Sequence, residues 1–351
     1  MKRKLFAVLM IVTLCASIIT GCGTGDSKKK LYLYNWTEYI PQSVFEAFEK
    51  ETGIEVVEST FSSNEELLAK LTAGGTSQYD MAIASNYIIK SMISQNLIQK
   101  IDKSNITNIG NLSKSVMGLA FDQNNDYTIP YMSTMTLIAV NKKKCKELGV
   151  EVKSFNDLLN PALKNNIVVV DDAREIIGVA LKAQGQSANS TDQATIKGTL
   201  PWLKKLVPNI KSYDSDSPKT ALISNEVAVG IVYNLDAGVA IKENKDIDVV
   251  FTQEPCALSI DNFVITSGAK NKENAEKFIN FILRPDIYKM ILDEYPGVCI
   301  NDAAKALLGD EYLKNAGSNV NSSEISRASL IDDVGDAVQT YDDVFTQMKT
   351  N

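Results

Sequence analysis

Aromatic side chains and carboxylates recur together in short segments of this 351-residue chain. Trp36, Thr37, Glu38 and Tyr39 come first, then Ser85, Asn86 and Tyr87, then Asp172 and Glu175 on either side of Arg174. Tyr233 and Asp236 follow, then Asp261, and finally Tyr295 before Pro296-Gly297. Arg174 is the only basic residue of the set. Such a combination suits the capture of an organic cation. An ammonium stacked on an aromatic face gains about 0.5–2 kcal/mol, and its hydrogen bonds to carboxylates are worth about 1.5–3 kcal/mol each. Each residue alone also has a plainer explanation: the aromatics could be core packing, Asp172 and Glu175 helix-start carboxylates favoured by the dipole, and Asp261 a turn cap. Asp80 and Asp126 read as turn residues.

Composition removes other chemistries. Histidine is absent, which excludes Ser-His-Asp and Cys-His mechanisms and every His-ligated metal site. There is no CxxC motif, hence no thiol-metal or thioredoxin-like signal, and no metal or cofactor is expected. Lys and Arg number 36 against 43 Asp and Glu, a net charge of −7. That balance argues against nucleic acid as a partner, because phosphate binding needs a cationic excess. Asp172 and Glu175 could form the carboxylate pair of an extracellular glycosidase, but such pairs usually come from separate elements. The same fold could instead serve an amino acid, an oxyanion or ferric iron; clustered tyrosines would suit iron, and oxyanions would want arginine or free amides.

These residues sit at the ends of expected elements. Leu31–Trp36 is a strand candidate, Pro41 opens a helix with Val44, Phe45 and Phe48 on one face, and Gly53 stops it. Ile54–Val57, Met81–Ala84, Leu137–Val140, Ile167–Val170, Val227–Val232, Ile247–Val250 and Phe263–Ile265 are further strands, with helices between most of them. The alternation predicts an α/β fold with a mainly parallel sheet covered on both faces. Ligands of open α/β sheets gather beyond the carboxyl ends of strands, where most of the aromatic and acidic residues fall. From Leu307 the chain reads as mainly helical, with a polar break over 315–323.

The N-terminus reads as an address. Lys2, Arg3 and Lys4 precede an apolar stretch from Leu5 to about Ile19, too short for a spanning helix and laid out like a secretory signal. Ile19-Thr20-Gly21-Cys22 resembles the lipobox of bacterial lipoproteins. Residues 1–21 are then a signal peptide, Cys22 the lipidated residue and 22–30 a tether, which holds the protein outside the cytoplasm at the cell membrane. Cys145, Cys256 and Cys299 remain in the body, enough for one bridge at most and read first as three separate thiols.

Several segments resemble the extracytoplasmic spermidine/putrescine-binding proteins of ABC transporters: NWTEY (35–39), ETGIEV (51–56), SSNEELLAKL (62–71), YDMAIASNY (79–87), NNDYTIPY (124–131), DDARE (171–175) and NFILRPD (280–286). The resemblance implies a two-lobe type II periplasmic-binding-protein-like fold with a hinge. One lobe spans 31–137 plus about 259–302, the other about 138–258 plus 303–351. It also implies a polyamine ligand between the lobes, a permease and an ATPase as partners, and a monomer that performs no bond chemistry. By this resemblance Trp36, Thr37, Glu38, Tyr39, Ser85 and Tyr87 face Asp172, Glu175 and Tyr233 across the cleft, Asp261 takes a terminal ammonium, and Tyr295 closes the aromatic box. Ser259 and Tyr233 stand where spermidine-binding members carry tryptophan, and Ile331 where some carry glutamine. Asp236 is an extra acid of the kind seen in putrescine-preferring members, so the choice between the two amines stays open. Cys256 and Cys299 fall near the lobe crossings, where a bridge between them is conceivable.

Overall fold

The computed structural model describes residues 29–350; the signal segment and Cys22 lie outside the described residues. Eleven strands join into one sheet: β1 (Lys29–Trp36), β2 (Ile54–Phe61), β3 (Met81–Ser85), β4 (Ile98–Gln99), β5 (Ile129–Asn141), β6 (Ile167–Val169), β7 (Ile210–Tyr213), β8 (Val229–Tyr233), β9 (Ile247–Val250), β10 (Ala257–Thr266) and β11 (Ser329–Leu330). The strand β1 begins two residues before the expected Leu31, so Lys29 and Lys30 belong to the sheet, paired with Ile54 and Glu55.

The main path runs β2-β1-β3-β10-β5-β8-β6-β7. Pairing is parallel among β1, β2 and β3 and among β6, β7 and β8. It is antiparallel wherever β5 or β10 meets β3, β4, β8, β9 or each other. The expectation of a mainly parallel sheet therefore needs correcting to a mixed one. The reason is topological: the chain leaves its first half through β5 and returns through β10. Two neighbouring strands that carry the chain out and back must run in opposite senses. All 13 residues of β5 are buried, which is why only its most apolar part, around Leu137–Val140, stood out as a strand.

Two large cores flank these crossings. The first gathers Leu31, Val44, Phe48, Met81, Tyr131, Phe263, Phe278 and Tyr288 and reaches as far as Tyr312. The second gathers Ile138, Phe155, Val169, Ile177, Leu203, Ile231, Tyr341 and Phe345. The helix Gln42–Thr52 illustrates how local sequence feeds the first core. Extended Pro41 precedes it, Val44, Phe45 and Phe48 are its buried face, and Gly53 ends it in the left-handed region at φ 72°. Phe48 meets the edge of Phe278 at 5.0 Å between centroids; each such buried side chain is worth about 1.5–3 kcal/mol.

The conceivable Cys256–Cys299 bridge does not form. Cys145, Cys256 and Cys299 are free and buried. Cys299 packs in the first core, while Cys256 packs with Leu137, Val168 and Val232 in a separate cluster of the second half. Burial pushes both thiols up to about 11, which keeps them protonated and unreactive. Asp80 does more than occupy a turn: it is 3% exposed and accepts from the Tyr32, Lys270 and Asn271 amides, tying β1 to the loop after β10.

Behind the crossings, the loop at Asn315–Ser318 docks on the helix Asn234–Glu243. Asn315 Nδ2 donates to the Gly238 carbonyl at 2.8 Å, and Asn234 Nδ2 to the Gly317 carbonyl at 3.0 Å. A Cβ on Gly317 would lie 2.5 Å from the Gly238 backbone nitrogen, and main chain on both sides leaves no rotamer to give way. We expect Gly317→Ala to lower stability by about 1–3 kcal/mol, measured as a shift in the midpoint of chemical denaturation.

Candidate ligand-binding crevice

The segment after β1 turns sharply into the crevice. Glu38 adopts φ 52°, a left-handed conformation that costs a side-chain-bearing residue energy and marks constrained positions. The turn leaves Trp36 tilted on Phe61 at 4.6 Å between centroids and swings Tyr39 inward. Tyr39 is anchored from behind by a chain of buried tyrosines. Tyr288 donates to the Tyr131 carbonyl at 2.6 Å, and Tyr131 donates to the Tyr39 carbonyl at 2.8 Å.

Tyr39 in turn donates its hydroxyl to Asp261 Oδ2 at 2.5 Å, and Ser85 donates to Asp261 Oδ1 at 2.6 Å. Asp261 sits in mid-β10, where a register shift between Asp261 and Asn262 interrupts pairing with β5; such irregularities re-aim side chains. Burial raises the Asp261 carboxyl above the usual range, and the hydrogen bonds from Ser85 and Tyr39 oppose the shift. Asn64 positions the neighbouring pair: its carbonyl accepts from the Ser85 amide at 3.1 Å and its amide donates to the Tyr87 hydroxyl at 2.9 Å.

The opposite wall comes from the second half. Asp172 caps the helix Ala173–Ala183 by accepting from the Glu175 amide at 3.0 Å, so the helix-start role and the crevice role coincide in one residue. The Tyr233 hydroxyl lies 3.5 Å from Asp172 Oδ2. Glu175 is 6% exposed and its Oε2 has no hydrogen-bond partner among the described residues. Burial, followed by the charge of Asp172, pushes it up to about 7. Asp236, on the first turn of the helix after β8, is also pushed up to about 7 by burial, against the pull of Lys219. Lys219 donates to Asp236 Oδ1 at 3.3 Å and to Glu38 Oε2 across the crevice.

The crevice holds about 630 Å³ of empty space, mouth included. Eleven of the twelve expected ligand residues line it: Trp36, Thr37, Glu38, Tyr39, Ser85, Tyr87, Asp172, Glu175, Tyr233, Asp236 and Asp261. Tyr295 does not. It is half-buried beside the crevice, and the charges of Glu294 and then Glu38 add to the burial that lifts its phenol. Ser259, singled out for lacking an aromatic ring, is on the lining. Phe61, Asn64, Thr134, Ser215, Asp216 and Leu235 line it as well and had no sequence signal beyond proximity to a strand end. Arg174 turns away from the lining: its guanidinium lies over the rings of Tyr87 and Tyr341 at 5.3 and 4.7 Å.

A carboxyl whose folded pKa exceeds its unfolded value of about 4.5 stabilises the fold only while protonated. The Glu175 contribution is complete below pH 4.5 and disappears as pH rises through 7. Glu175→Gln should therefore raise the Tm of the unliganded protein at pH 8 by a few degrees, and leave it nearly unchanged at pH 4. Melting curves across this range test the expectation; equal shifts at both pH values would contradict it.

The comparisons with known proteins agree with this architecture. The family model described as bacterial extracellular solute-binding protein matches residues 43–317. The spermidine/putrescine-binding periplasmic protein of Salmonella typhimurium is 39% identical over 319 residues, 91% of either chain. The solved spermidine/putrescine ABC transporter substrate-binding protein of Streptococcus pneumoniae is 33% identical, with a TM-score of 0.75 over 92% of this chain and 98% of that one. The Tp0655 lipoprotein of Treponema pallidum is 28% identical, with a TM-score of 0.81 over 92% of this chain and all of that one. The resemblance noted in short motifs thus extends along almost the whole chain, and the two-lobe type II fold with it. This chain belongs to the bacterial extracellular solute-binding protein family.

Proposed function

We propose that the chain is the substrate-binding component of a polyamine ABC importer. It captures a protonated spermidine or putrescine between its halves and delivers it to a permease and ATPase, without bond chemistry. The observation that carries this reading is the buried Glu175 carboxyl, whose Oε2 has no hydrogen-bond partner among the described residues, on a crevice lined also by Asp261 and by Trp36, Tyr87 and Tyr233. A buried carboxylate oxygen without a donor is costly, and a ligand ammonium relieves that cost. The methylene segments between ammoniums suit the aromatic walls. The proposed ligand contacts are the lining residues Trp36, Thr37, Glu38, Tyr39, Ser85, Tyr87, Asp172, Glu175, Tyr233, Asp236 and Asp261, with Tyr295 next to them. Closure of the halves around the amine is a hinge motion of the kind found in periplasmic binding proteins.

Other ligands fit less well. An amino acid or oxyanion would need a free cation, yet Arg174 is held between two rings and Lys219 is paired with two carboxylates. Ferric iron would need phenolates, whereas burial holds the Tyr39, Tyr87 and Tyr233 hydroxyls well above their ordinary range.

Titration calorimetry of the chain without residues 1–22 should record binding of putrescine or spermidine. Asp261→Asn should weaken it by about 10- to 100-fold, the loss of one charge-assisted contact. Absence of both heat and thermal stabilisation with spermidine, putrescine and cadaverine would sink the proposal.

We also place the mature monomer outside the cytoplasm, tethered through lipid on Cys22 after removal of 1–21. Among the described residues no helix is long and apolar enough to cross a membrane, and the similar Treponema protein is a lipoprotein. Cys22→Ala should move the protein from the membrane fraction to the soluble one. Retention with the membrane would argue against the lipid anchor.

A further inference from the structure

Lys219 holds its ammonium between two carboxylates of the crevice lining, Glu38 and Asp236. It stands at the start of the short helix Lys219–Ile223. Its side chain is 11% exposed, between Asp236 at 5% and Glu38 at 41%. Glu38 comes from the strained turn after β1 in the first half, and Asp236 from the helix after β8 in the second. Burial pulls the Lys219 ammonium down, but the carboxylates of Asp236 and Glu38 outweigh it and hold it charged.

A lysine side chain is chemically a butylammonium, the same group that ends an alkyl polyamine. Here it is held by one carboxylate from each side of the crevice, which is the arrangement a ligand ammonium would need. Six carboxylates line the crevice: Glu38, Asp172, Glu175, Asp216, Asp236 and Asp261. Asp216 is exposed and accepts from the Ser62 hydroxyl at 2.9 Å. Glu38 and Asp236 are taken by Lys219. Two buried anionic centres have no cation in hydrogen-bond contact among the described residues: Asp261, and Asp172 with Glu175.

Resting on the polyamine reading above, we propose that Lys219 is a built-in occupant of one ammonium position, which makes the chain selective for diamines over triamines. Two vacant anionic centres match the two charges of putrescine or cadaverine. A third ammonium would meet carboxylates already neutralised, beside a like charge. Selectivity is a difference of affinities, and an element that repels the wrong ligand is as effective as one that attracts the right one.

The test compares putrescine, cadaverine and spermidine by titration calorimetry on the wild-type protein and on Lys219→Met, which keeps an unbranched side chain one atom shorter and removes its charge. The wild type should bind a diamine at least tenfold tighter than spermidine. Lys219→Met should shift that ratio toward spermidine by tenfold or more, through tighter spermidine binding. Lys219→Arg should keep the wild-type preference. If the methionine variant does not fold, Lys219→Gln supplies the neutral comparison. A wild type that prefers spermidine, or a ratio unchanged in the neutral variants, overturns the inference while leaving polyamine binding intact. A wild type that binds none of the three amines overturns the polyamine reading and this inference with it.

Discussion

Withdrawing carboxylates from water is the constraint on which this molecule is organised. Asp172, Glu175, Asp236 and Asp261 are each at most 6% exposed, and a buried charge is tolerated only where partners replace its hydration. Much of the surrounding architecture supplies such partners or holds them in place. Asp261 takes two short hydroxyl bonds, Asp172 a helix amide, and Asp236 an ammonium. The relay from Tyr288 through Tyr131 to Tyr39 fixes the Asp261 donor to the centre of the first core. The position of that hydroxyl is thereby set in part by interior packing at Tyr131, 92 residues away in sequence, and not only by the loop that carries it.

The crossing strands explain how one crevice draws on both halves. β5 and β10 are paired over seven residues; β5 reaches from Tyr131 in the first core to Ile138 in the second, while β10 packs Ile260 and Phe263 in the first, and Thr134, Ser259 and Asp261 form the floor between the two walls. The walls themselves hang from strand ends: β1 and β3 on one side, β6 and β8 on the other. A ligand in the crevice would touch the rigid floor and both walls at once, which couples its binding to the relation between the halves.

Much of this was legible in the sequence because strand cores are apolar runs and their ends carry the chemistry. Met81–Ser85 and Ile167–Val169 are short, fully buried strands, and the acids and aromatics just after them line the crevice. The sense of the sheet was not legible, because a strand of type and length says nothing of the direction in which it meets its neighbour. Nor was Lys219: Lys219-Thr220 follows Pro218 in a polar stretch, and only the fold brings it to Glu38, 181 residues away. Tyr295 shows the converse: it lies beside the lining rather than on it. Its aromatic type and loop position suited the lining, but the loop stops short, with Pro296 packed against Gly238 instead.

Cys145, Cys256 and Cys299 lie apart in the interior, each enclosed by apolar neighbours. With no covalent staple among the described residues, the halves are joined by main chain and weak forces alone. The body of the protein should keep one shape whether its surroundings are oxidising or reducing.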